Sequence, residues 1–410
     1  MGKKNKEKAR TTNPPATAEE AEAVTAAGLL PDDLILEILS RLPARSVHRF
    51  KCVSPSWRDL IADPANRKKL PQTIAGFLYD TYNSEDFPFN DFNFASVSTG
   101  AAPTVDPSLP FLPEYEYIAH LDTCNGLLLC LAYMVPSSSA DEDAEPESHY
   151  IVCNPATERW VDLPAHPDVP LDSQIFTRLA FDPQVSSHFH VLRFNRTDHE
   201  DYITGVDIYS SQTGAWNRRE IKLVEKFNLY FGITSVFCHG MLHLLGWLHA
   251  MSANKDNLLI ALDMEGKVWK TIRVPSDGMR FGTIGLSQGC LHYAATKKEG
   301  DTSLDTKISE VWCMKDYESK KWVLKHTVSN DELCSIAGVE YRVEAFHPDC
   351  DTIFLDSCDA DTIVSYDMQR QKLHQTFHLK ENKAWKTHWL VQMGVSVIDN
   401  HRRVLPPRIC

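Results

Sequence analysis

LLPDDLILEILSRLPARSVHRFKCVSPSWRDLI, Leu29 to Ile61, is the stretch from which the rest of the chain can be read. Pro31 suits the first position of a helix, and Asp32 and Asp33 put negative charge at that helix's positive end. Leu30, Leu34, Ile38 and Leu42 make one apolar row, Ile35 and Leu39 run beside it, and Leu29 and Leu36 widen it. A helix apolar over most of its circumference is covered on more than one side. Pro43 ends it. A second helix carries Val47, Phe50 and Val53; a third opens with Ser54 as cap and Pro55 in its first turn, and buries Trp57, Leu60 and Ile61. A unit this small has too little core to stand alone. Its surplus apolar surface either joins the core of the following domain or docks on a partner.

Leu30-Pro31, Asp33-Leu34, Glu37-Ile38-Leu39, Arg41-Leu42-Pro43, Ser46, Arg49-Phe50, Val53, Trp57 and Leu60-Ile61, in this order and at this spacing, resemble the F-box motif. The resemblance spans nearly all of the motif and only a small part of the chain. Ser54-Pro55 departs from the Cys-Lys common in the family, and Pro55 fits a helix start. The resemblance implies a protein that holds the Skp-type linker of a Skp–cullin–F-box ubiquitin ligase and presents a substrate with another domain. It also implies that Leu30, Pro31, Ile35, Leu39, Leu42, Val53 and Trp57 serve linker binding, directly or by holding the helices.

A chain of 410 residues has room for two or three domains, and 43% hydrophobic content permits a real core. The net charge of -13 argues against a nucleic-acid-binding surface. No apolar run reaches transmembrane length, and the basic start is not followed by the apolar segment of a signal peptide. Eleven cysteines without CxxC pairs read as reduced thiols, which places the protein in cytosol or nucleus. Residues 1–27 have the composition of a disordered tail, and Lys3, Lys4, Lys6, Lys8 and Arg10 read as a solvated basic stretch or a nuclear-import signal.

Beyond the helical unit, assigned to residues 28–71, the pattern changes. Short runs rich in Val, Ile, Phe, Tyr and Leu alternate with Gly, Pro, Asp and Asn turns, which predicts strands. Trp160, Trp216, Trp269 and Trp322 stand in equivalent settings (ERWVDL, GAWNRREI, KVWKTI, KKWVLKH) at spacings of 56, 53 and 53, with Leu373 in a fifth copy 51 residues on. A period near 50 is that of kelch-like propeller blades, each a four-stranded sheet. Five complete units run from Tyr117 to His378. Strands at Ile74–Tyr79, Phe92–Val97 and His388–Val397 are left over, and open edges invite mispairing. A sixth blade built from both ends follows. The expected architecture is α+β and multidomain: a three-helix F-box, then an all-β propeller over residues 74–410 that resembles the plant F-box-associated, kelch-like domain. The Trp repeat reads as core between blades, and the acidic loop Pro136–Ser148 as a solvated insertion.

No constellation carries chemistry. His239 and His243 lack the Glu of HExxH and lie in a strand pattern; no nucleophile elbow, phosphate loop, zinc spacing or placeable Cys–His pair occurs, and no metal or cofactor is implied. The leading expectation is therefore a non-catalytic ubiquitin-ligase adaptor, which binds the Skp-type linker and through it a cullin, and recruits a protein substrate without nucleic acid or membrane. A Skp-binding scaffold outside a ligase, and a propeller enzyme or carbohydrate-binding protein with an incidental helical leader, are the alternatives. Loops into the inner strands and between the second and third strands carry Arg178, Tyr230, Phe231, Trp247, Arg280, Tyr341 and Arg342, with Trp389 at the closing strand. Aromatics and Arg dominate binding energy at interfaces, so these residues are expected to ring the mouth of the propeller and to receive an acidic or phosphorylated segment.

Overall fold

The computed structural model describes residues 30–393 apart from 43, 68, 71–72, 83–89, 98–104, 116, 135–146, 156, 167–175, 184, 197–201, 222–224, 231–233, 249–256, 276–281, 299–306, 330–340, 358–360 and 380–387. The basic tail and most of the acidic loop expected at Pro136–Ser148 lie outside the described residues.

Helix α1 spans Asp32–Ser40 and so begins one residue later than expected, with Pro31 as its N-cap and Asp32 and Asp33 in its first turn. Helix α2 spans Ala44–Phe50 and α3 Pro55–Ala62. Ser54 caps α3: its Oγ accepts a hydrogen bond from the Trp57 backbone N–H at 3.1 Å, and Pro55 needs no such partner. A single turn, α4, covers Pro64–Arg67. Ile35, Leu36, Leu39, Val47, Ile61 and Leu70 close into a small core of their own, with Leu42, Phe50, Trp57 and Leu60 packed against it.

Strands β1 (Thr73–Tyr82) and β2 (Asn90–Ser96) follow. Five antiparallel sheets come next. The first blade holds β3 (Tyr117–Cys124), β4 (Leu127–Met134), β5 (Glu147–Asn154) and β6 (Arg159–Asp162). The second holds β7 (Thr177–Ala180), β8 (His190–Arg196), β9 (Ile203–Ser210) and β10 (Ala215–Glu220). In the third, β11 (Phe227–Leu229) and β12 (Val236–Cys238) share one partner, β13 (Met241–Leu248), and β14 (Asn257–Asp263) and β15 (Trp269–Arg273) complete it. The fourth holds β16 (Thr283–Ser287), β17 (Cys290–Lys298), β18 (Lys307–Met314) and β19 (Val323–Ser329); the fifth β20 (Tyr341–Phe346), β21 (Thr352–Ser357), β22 (Thr362–Asp367) and β23 (Lys372–His378). Strand β24 (His388–Met393) pairs with β1, giving a three-stranded sheet in the order β2-β1-β24. Among the described residues, then, five sheets have the strands of a full blade. The sheet made from the two ends has three, not the four of a complete sixth blade.

The first strands of neighbouring sheets approach one another, β3 with β7, β12 with β16 and β16 with β20, and so line the axis. Apolar clusters fill the junctions between consecutive blades from the first to the fifth. The end sheet is buried on both faces by the period-two alternation of a strand. Phe77 and Tyr79 meet the fifth blade, with the Phe77 and Phe354 rings 5.0 Å apart, and Leu78 meets Leu128, Cys130 and Cys153 of the first. The two ends of the domain are thereby joined.

The tryptophan repeat has a structural cause. Trp216, Trp269 and Trp322 each pack into the junction with the preceding blade, Leu373 does so in the fifth, and Trp160 packs between the first blade and the end sheet. Trp216 Nε1 donates to the carbonyl of Pro164 at 3.0 Å and Trp322 Nε1 to that of Arg273 at 2.9 Å, both at the end of the blade before. A large apolar ring with one donor suits this place, where the body is buried and the tip meets a carbonyl left over by the neighbouring sheet.

Candidate binding surfaces

Two surfaces stand out. The first is on the helical unit. Of the rows read from the sequence, Ile35 and Leu39 face inward and are 2% and 0% exposed, so they hold the helices together. Leu30, Leu34 and Ile38, spaced by four, form a strip along one face of α1 and are 40%, 51% and 47% exposed; Val53 is 50% exposed. Pro31 is exposed, while Leu42 and Trp57 are half-buried against the unit's own core. The residues on offer to a partner are thus Leu30, Pro31 and Val53 of those expected, together with Leu34 and Ile38, which belong to the same row. Sequence periodicity showed that the helix was apolar all round; only the fold separates the face that closes the core from the face that does not.

The second surface is a cavity of about 640 Å³ on the axis. Its walls are the turns that join the first and second strands of the blades, together with Phe77 of β1 and Leu70 of the helical unit. Three of these turns, Asn125-Gly126, His239-Gly240 and Gln288-Gly289, have positive φ at both central residues, the geometry of the two-residue hairpin turn that matches strand twist. Four carboxylates line the cavity: Asp122, Asp182, Glu344 and Asp349. No Lys or Arg occurs among its described lining residues. Asp122 is buried; its carboxylate accepts hydrogen bonds from the Leu179 N–H at 2.8 Å, the Thr123 N–H at 2.9 Å and Ser235 Oγ at 3.0 Å. Burial raises its pKa, and the charge of Arg178 and these hydrogen bonds oppose that rise.

Of the described residues expected to ring the mouth, two are buried in the walls. Arg178, on β7, is buried: its Nη1 donates to the Thr177 carbonyl at 2.9 Å, and Asp122 of the first blade supplies the opposing charge. A buried Arg is tolerated when such a charge accompanies it. Tyr341 is also buried, in the junction of the fourth and fifth blades. Arg342 is half-exposed, 3.1 Å from Asp356 and 3.5 Å from Glu344. Tyr230 and Trp247 lie together, ring centroids 4.6 Å apart, with Tyr230 Oη donating to Asn257 Oδ1. Trp389 occupies a place in β24 opposite Leu78, and Phe231 and Arg280 lie outside the described residues.

A Cys–His pair that the sequence did not bring together is present. Cys238 Sγ is 3.6 Å from His243 Nδ1, and His243 Nε2 is 2.7 Å from Tyr317 Oη. Burial pushes the Cys238 thiol up to about 12 and the His243 imidazole down to about 4, so both stay neutral at pH 7 and the trio is a hydrogen-bonded piece of core. Among the described residues no group of three or more His, Cys, Asp or Glu is placed to hold a metal, and no helix is long and apolar enough to cross a membrane.

A family model described as the β-propeller of F-box protein At3g26010-like proteins matches residues 109–402, and an F-box domain model matches residues 29–69. The chain belongs to this family of F-box proteins. Its relatives in Arabidopsis thaliana include F-box protein At5g07610, 24% identical over 339 residues that cover 77% of this chain and 74% of the relative. F-box protein At5g49610 is 28% identical over 346 residues, covering 79% and 84%. Putative F-box/kelch-repeat protein At1g15680 is 25% identical over 406 residues, covering 90% and 88%. In this F-box protein the exposed strip on α1 therefore belongs to the F-box, and the cavity belongs to the propeller.

Proposed function

We propose that this F-box protein is the substrate-recognition adaptor of a Skp–cullin–F-box ubiquitin ligase. The F-box binds the Skp-type linker, and the propeller binds a protein substrate. One observation carries the first half. Leu30, Leu34, Ile38 and Val53 stay exposed on a helical unit that already has a closed core. Apolar side chains grouped in this way mark an interaction surface. The second half is supported by the pairing of that unit with a family propeller and by a concave site on the propeller axis. The adaptor itself contributes proximity rather than bond chemistry, because tethering raises the local concentration of a substrate near the ligase. The described cysteines are all free, which suits a reducing compartment such as cytosol or nucleus.

Co-expression of the full chain with a Skp-type linker and a cullin tests the reading. Co-elution of all three is expected. A complex with the linker that excludes the cullin would favour a Skp-bound scaffold instead.

A further inference from the structure

The cavity on the axis says something about the substrate that the fold alone does not. Its volume of about 640 Å³ lies within the range of sites that enclose several side chains. Asp122 and Glu344 answer the charges of Arg178 and Arg342 within the wall. Asp349 is exposed and Asp182 half-buried, and they stand on loops of the fifth and second blades. Between the carboxylates the lining combines the apolar and aromatic side chains of Phe77, Val185, Phe237 and Phe346 with polar ones such as Asn125, Thr234 and His239. Partial burial of the Asp349 carboxyl raises it above its ordinary value, and the charge of the nearby His347 opposes that rise.

This combination suits one kind of side chain. Lys and Arg have an apolar stem that can lie along Phe and Val and a cationic head that needs a carboxylate or an aromatic face. An acidic or phosphorylated segment would meet Asp182 and Asp349 and no Lys or Arg among the described lining residues. We propose that the cavity receives a Lys- or Arg-bearing segment of the substrate protein. The assignment rests on the propeller being the substrate domain, and it reverses the acidic preference expected from Arg178, Arg280 and Arg342.

The test uses the full chain bound to its Skp-type linker, with fluorescein-labelled hexa-arginine and hexa-glutamate as probes, read by anisotropy at about 0.15 M salt. Hexa-arginine is expected to bind and hexa-glutamate not. An Asp182→Asn/Asp349→Asn variant should bind hexa-arginine roughly tenfold or more weakly, since both attraction and specificity come from charge complementarity. Val185→Arg places a cation in the cavity at a residue that is 73% exposed, and should weaken binding equally without disturbing the fold. Glu220→Gln/Glu265→Gln, the same charge change at exposed positions elsewhere, should leave binding unchanged. If the cavity variants bind like that control, or if hexa-glutamate is preferred, the assignment fails. Tighter hexa-arginine binding by a Lys3/Lys4/Lys6/Lys8→Gln chain would make the chain's own basic tail the occupant and overturn assignment to a partner. Linker retention is recorded on every variant. Lost peptide binding with the linker in place reports on the cavity; a native chain that never holds the linker reports on the adaptor reading.

Discussion

At the scale of single residues, the positions with a recurring physical task were the legible ones. The Trp repeat could be found by spacing because each copy does the same work, filling a blade junction and, at Trp216 and Trp322, capping a carbonyl of the preceding blade. Arg178 was misread because its burial depends on Asp122, a residue in another blade that no local pattern connects to it. Asp207 has no local signature either, because its partners come from the two strands beside it, β8 and β10, and from His166. It is a buried carboxylate held by Arg218 Nε at 2.8 Å, Asn195 Nδ2 at 3.0 Å and His166 Nε2 at 3.1 Å, with Arg193 at 3.5 Å. Burial pushes its pKa up, but the hydrogen bonds from His166, Arg218 and Asn195 outweigh burial and hold the group below the usual carboxylate range. Replacing it by Ala strands Arg193 in the interior and should cost about 3–5 kcal/mol in urea unfolding at pH 7. Because the folded pKa is the lower one, the stabilisation is complete above the unfolded Asp value of about 3.9 and is lost as pH falls through the folded value. The native chain should therefore lose stability below about pH 4, and Asp207→Asn should lack that part of the loss. Equal stability of Asp207→Ala and the native chain at pH 7 would contradict the role given to this network.

At the scale of elements, strands are legible to within a few residues where a short, continuously buried run stands between turns, as in β7, β14 and β22. The third blade opens on two short strands, β11 and β12, where one is expected. Phe227 and Leu229 are both buried in β11. Two short strands on one partner leave no single apolar run long enough to recognise. The end sheet was legible by a different argument, the surplus of unpaired strands at both ends. Its energetics follow from β1, where Phe77 is 0% and Leu78 2% exposed between two blades. Ending the chain after Thr387 removes β24, the partner of β1 from Thr73 to Tyr79, and leaves that edge open. The truncated chain should melt at a lower temperature and aggregate at concentrations where the full chain is monodisperse. An unchanged melting curve would show that β24 does not close the domain.

At the scale of the whole molecule, the two domains divide the labour of an adaptor, and the sequence disclosed them unequally. The F-box was readable because one short unit carries a dense pattern of apolar and capping residues. The propeller was readable as a period but not as a binding site, since its cavity is assembled from five separate turns and one strand of the end sheet. What the fold adds to the F-box is a division within the apolar helix: Ile35 and Leu39 lie in the core, and Leu34 and Ile38 are exposed. The central claim is that the exposed half binds the Skp-type linker, and affinity measured by calorimetry between the purified chain and linker tests it most directly. A Leu34→Asp/Ile38→Asp variant should stay folded, because about half of each side chain is already exposed and neither belongs to the unit's core, and should lose roughly a hundredfold or more in affinity, as expected when charges enter a desolvated apolar contact. Undiminished binding by that folded variant would contradict the claim.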